Sequence, residues 1–99
     1  MRLSPHAQDV IRRATAEYAG PAARVYLFGS RTQAKLRGGD IDLLIELPEP
    51  GTDRLALALR IGARIERQLG PQRIDILVAD PQSPGSPVLA AARRDAIAL

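Results

Sequence analysis

Apolar and polar positions along the chain follow two periods, and the switches between them divide it into elements. Ser4-Pro5 suits a helix start, with Ser as N-cap and Pro at the first helical position. Ala7, Val10, Ile11, Ala14 and Tyr18 then recur at helical spacing, leaving Arg12 and Arg13 to solvent, and Gly20-Pro21 stops the run. Arg24–Phe28 is short, β-rich and mostly apolar, which predicts a first, central strand. A short helix is expected over 30–36, behind a Gly-Ser turn and broken by Arg37-Gly38-Gly39. Over 40–47 the period becomes two: Ile41, Leu43 and Ile45 share one face of a second strand, which Pro48-Glu49-Pro50-Gly51 ends. A long helix over 53–69, capped by Thr52 or Asp53, carries Leu57, Ile61, Ile65 and Leu69 every fourth residue, with Leu55 and Leu59 beside them. Gly62 falls in its middle, where it would let the helix pack closely on a sheet, and Gly70-Pro71 closes it. In Arg73–Ala79, Ile74, Ile76 and Val78 alternate with Arg73, Asp75 and Leu77, so a third strand is expected. Pro81, Pro84 and Pro87 make 80–87 a loop; 88–95 reads as a last short helix and 96–99 as an apolar tail or contact strand.

The resulting order is α-β-α-β-α-β-α, which indicates an α/β fold with helices packed on a small sheet of three to four strands. The connector between the first two strands is too short for a parallel crossover, so the sheet should be mixed. Ninety-nine residues suit one domain, 1–99. Three aromatics leave the core to Leu, Ile, Val and Ala.

Without cysteine the chain has no disulfide framework and no thiolate metal site, which fits a cytoplasmic protein. No apolar run reaches the roughly 20 residues of a membrane span, and no membrane role is expected. The net charge of +3 suits an anionic ligand such as a nucleotide, or an acidic partner. His6 has no second His or Cys at ligand spacing and is incidental.

Candidate chemistry gathers in residues 28–45. Asp40 and Asp42, spaced i, i+2, project to one face of their strand, where like charges repel. A hard divalent cation such as Mg²⁺, which takes oxygen ligands, removes that objection. Gly29-Ser30 offers backbone N–H groups, a hydroxyl and a helix start, as a phosphate requires. Arg31 directly follows and can clamp a phosphate, whereas Lys35 and Arg37 read as a solvated basic face. Asp75 has the parity of Asp40 and Asp42, and an acid between Ile74 and Ile76 calls for a partner.

Gly29-Ser30, nine intervening residues, then Asp40-Ile41-Asp42 before Leu43-Leu44-Ile45 resembles the signature of the DNA polymerase β nucleotidyltransferase superfamily, in its minimal branch. Many minimal members have ten intervening residues rather than nine. The resemblance implies a polymerase-β-like core with a mixed sheet. It matches Asp40 and Asp42 to paired metal ligands and Asp75 to the third carboxylate, which also helps deprotonate an acceptor hydroxyl. Together the three would hold two Mg²⁺ ions about 3.5–4 Å apart. Gly29, Ser30 and Arg31 would bind the triphosphate of an NTP, with ATP the expected one. Minimal members are often the antitoxin of a toxin–antitoxin pair, so the resemblance implies NMP transfer to a tyrosine of a partner HEPN-domain toxin.

Two other classes compete with this reading. A non-catalytic binding module would mask its partner even with Asp40 and Asp42 both changed to Asn. A nucleic-acid-binding domain would use Arg60, Arg64 and Arg67, which share a helix face; that face reads better as solvated, and few aromatics are available to stack on bases. The base, the acceptor and any homodimer are not legible.

Overall fold

The computed structural model describes residues 3–29 and 40–99, with Asp40 described by its backbone. The expected helix over 30–36 lies outside the described residues. Helix α1 (Pro5–Ala19) starts as its sequence dictates: Ser4 Oγ accepts the Ala7 N–H at 3.0 Å. It ends where Gly20 N–H donates to the Ala16 carbonyl at 3.1 Å. Strand β1 (Arg24–Phe28) follows, then β2 (Asp40–Glu46). Helix α2 (Arg54–Leu69) is capped by Asp53, whose carboxylate accepts the Ala56 N–H at 3.1 Å. Next come β3 (Arg73–Ala79), α3 (Pro87–Asp95) and the two-residue β4 (Ile97–Ala98). The apolar tail is thus a contact strand. Helix α3 begins one residue before the sequence reading, because Ser86-Pro87 repeats the cap of Ser4-Pro5, with Leu89 N–H on Ser86 Oγ at 3.1 Å.

The sheet runs β3-β2-β1-β4. It is mixed, as the short first connector requires: β1 is antiparallel to β2 and to β4, and α2 carries the crossover that makes β2 and β3 parallel. Leu47 stands outside β2 yet extends the ladder, its N–H on the Ala79 carbonyl at 2.8 Å.

Alternation sorts the strand residues into two cores. On one face, Val25, Leu27, Ile41, Leu43, Ile45 and Val78 meet Val10, Ile11 and Ala14 of α1 and Leu57, Ile61 and Ile65 of α2. On the other, a smaller cluster of Leu44 and Ala79 meets Leu89 and Ala92 of α3, with Tyr26, Phe28 and Leu77 partly buried around it. Leu55 and Leu59, expected beside the core stripe, are 71% and 65% exposed. Gly62 does not mark a close approach: a Cβ there would sit 3.6 Å from Ile76 Cδ1, an ordinary contact. Arg12 and Arg13 are exposed and pair with Asp9. The basic face of α2 is not simply solvated, because Arg64 ion-pairs with Glu17 of α1 and contacts the Tyr18 hydroxyl. Among the described residues no helix is long and apolar enough to cross a membrane.

Candidate active site

Three strand ends converge on the face that carries α3. Across the sheet Phe28 pairs with Asp42 and Asp42 with Asp75, while Asp40 pairs with Arg73. Residues opposite one another in a ladder share a face, and adjacent strands are about 4.8 Å apart. The backbone positions of Asp40, Asp42 and Asp75 therefore belong to one patch, as their parity in sequence requires.

Among the described residues, α3 covers the other end of the same face and not the patch. Leu44, one step along from Asp42 on that face, is fully buried under α3. Glu46, one step further, is held by Arg93 of α3, with Nη2 to Oε1 at 2.7 Å and Nε to Oε2 at 3.3 Å. This two-pronged pair links α3 to the end of the face away from the aspartates. It also raises the Arg93 pKa, with hydrogen bonding to Glu46 as the main cause.

Gly29 closes the patch from the end of β1. Its φ of +79° lies in the left-handed region, and a Cβ there would strike the Asp42 carboxylate, with Asp42 Cγ only 3.2 Å away. The backbone thus lies directly against the carboxylate, and only glycine allows that approach. Asp42 is half-buried. Asp75 is not in the enclosed strand context that its isoleucine neighbours imply: β3 is an edge strand and the Asp75 side chain is 56% exposed. Its partner is Arg73, whose Nε lies 3.7 Å from Oδ2. The face of Arg73 was legible from alternation, but its pairing was not.

Ser30, Arg31, Lys35 and Arg37 lie outside the described residues, as does the Asp40 side chain. Among the described residues no group of three or more metal-ligating side chains assembles. What assembles is carboxylate oxygen from adjacent strands beside a glycine cradle that a Cβ would fill. That donor set fits a hard divalent cation. A groove of about 260 Å³ between α1, β1 and β4, bordered by Arg12, Thr15, Tyr26 and Leu99, has no acid among the described residues that line it.

Comparison with known proteins agrees with this arrangement. No curated relative matches the chain. Among solved structures, a point mutant of the toxin–antitoxin MntA-HpeT aligns over 93% of this chain and 69% of that one, at 18% identity and a TM-score of 0.60. At that identity the likeness is one of fold: the mixed sheet with helices on it is that of a polymerase-β-like nucleotidyltransferase. The family profile described as Nucleotidyltransferase domain matches residues 9–90, from α1 through β3 and into α3. With most of its length inside that match, and carboxylates in register beside a glycine turn, this chain belongs to the nucleotidyltransferase domain family.

Proposed function

We propose that residues 1–99 act as one minimal nucleotidyltransferase domain that moves an NMP group from an NTP, ATP foremost, to a hydroxyl and releases pyrophosphate. The observation that carries the reading is Gly29 pressed on Asp42 with Asp75 in register beside them. Asp40, Asp42 and Asp75 would hold two Mg²⁺ ions, which, when bound, neutralise the aspartates and the triphosphate. Gly29 and Ser30 present N–H and hydroxyl donors to the triphosphate, and Arg31 adds a guanidinium fork. Asp75, the most exposed of the described pair, faces the acceptor. It takes the hydroxyl proton as the oxygen bonds to the α-phosphorus and the bond to the bridging oxygen of the β-phosphate breaks.

The acceptor we favour is a tyrosine hydroxyl of a partner HEPN-domain toxin in the cytoplasm. Modifying that tyrosine would silence the toxin, making this chain the antitoxin. The name of the MntA-HpeT pair supports a toxin–antitoxin setting, and the resemblance of residues 28–45 supports the partner class.

Calorimetric titration with each NTP, with and without Mg²⁺, tests the site. Wild-type protein should bind one or more NTPs only with Mg²⁺, and Asp42→Asn should lose that binding while melting as the wild type does. Retained Mg²⁺-dependent binding and transfer in Asp42→Asn would refute the assignment. Incubation with NTP and the protein encoded next to it should add the mass of an NMP to that neighbour, at a tyrosine.

A further inference from the structure

Arg73 opens β3 on the same face as Asp75, and the parallel register sets it opposite Asp40. The backbone positions 40, 42, 73 and 75 thus form a two-by-two block with three acids and one base. Across the described strands, the other basic residue is Arg24, opposite Glu46 at the far end of the face. The Arg73 Nε stands 3.7 Å from Asp75 Oδ2, which is within ion-pair reach but longer than a hydrogen bond. The contact is therefore one of charge more than of fixed geometry.

The geometry points to Arg73 as the built-in counter-cation of the carboxylate cluster, a residue that sets its metal affinity by competing for Asp75. This rests on the carboxylate reading above. The Arg73 side chain is 73% exposed, so giving up its contact with Asp75 uncovers no core. The cluster is then partly neutralised when empty, which relieves repulsion between acids on adjacent strands. A divalent cation entering alone must displace that charge. One arriving with a triphosphate brings anionic groups of its own, and the opposition of Arg73 is offset. The arginine would thus favour metal–nucleotide over bare metal. Removing one unit charge at this range, in a setting screened by water, should tighten a dication's binding by roughly three- to thirtyfold.

Mn²⁺ binding followed by electron paramagnetic resonance, without nucleotide, reads this directly. Arg73→Gln should bind Mn²⁺ at least about threefold more tightly than wild type. Arg73→Lys, which keeps the charge, should stay near wild type. Unchanged or weaker binding in Arg73→Gln would overturn the proposal; weaker binding would mean that the arginine orients Asp75 instead of competing for it. Asp42→Asn separates this from failure of the underlying site. If Mn²⁺ fails to bind wild type, or binds Asp42→Asn equally well, the carboxylate reading falls and the role of Arg73 with it.

Discussion

Adding a methyl group at Gly29 would do two kinds of damage. The left-handed backbone penalises any L side chain by about 1–2 kcal/mol, and the new Cβ would collide with the Asp42 carboxylate. Gly29→Ala should therefore lower stability by about that amount in urea unfolding and, separately, lose nucleotide binding as Asp42 is pushed aside. Wild-type nucleotide affinity in the alanine variant would mean that Gly29 serves the turn alone. The Gly-Ser pair announced a turn in the sequence, but its contact with Asp42 depends on the register of β1 on β2, which no local pattern encodes. The pKa of Arg93 is raised by Glu46, and that of Arg64 chiefly by the Tyr18 hydroxyl and then by Glu17. A folded-state pKa raised above the unfolded value contributes stability that is fully present below the unfolded value. It is lost only as pH climbs through the folded value, far into alkali. Arg93→Met should thus lower the melting temperature equally at about pH 6 and about pH 9, and a difference between the two would contradict the sign.

At the scale of elements, α2 carries an avoidable cost. Gly62 sits in the helix interior, where Ala is favoured by roughly 1 kcal/mol, and the added methyl would meet only Ile76 Cδ1 at 3.6 Å. Gly62→Ala should stabilise the protein by about 0.5–1 kcal/mol, seen as a higher urea midpoint at unchanged slope. A loss of stability would show that Ile76 cannot take the contact. The existence and core stripe of this helix were legible because Leu57, Ile61 and Ile65 repeat every four residues. The placement of Leu55 and Leu59 was not: two positions from a buried residue is about 200° around a helix, the far side, whatever the side chain's hydropathy. The start of α3 was hidden in a different way. Its Ser86-Pro87 cap carried the signal that located α1, but the prolines before it made the segment read as loop to its end.

For the whole molecule, the described residues load the two sheet faces unequally, and α3 occupies the end of its face away from the aspartates. The mixed sheet was legible because a short connector forbids a parallel crossover; the pairing of a two-residue β4 was not, since it depends on which edge is left for it. Among the described residues the α1–α2 face holds the larger core, whereas on the other face Leu89 and Ala92 of α3 rest on Leu44 and Ala79, beside the Glu46–Arg93 pair. Truncations of similar size should then have different reach. Ile61, with no exposure, lies in the larger core, and Ile61→Ala should cost about 2–5 kcal/mol of global stability. That is a large part of the roughly 5–15 kcal/mol a domain has. Leu89→Ala also leaves a hole at a buried position, but in a cluster that can open without disturbing the other face. Hydrogen exchange should show this: Leu89→Ala should speed the amides of α3 while those of α2 keep their protection, and Ile61→Ala should lower both together. If Leu89→Ala weakened α2 as much as α3, the two cores would form one cooperative unit. The placement of the aspartate patch would then depend on the whole fold and not on where α3 stops.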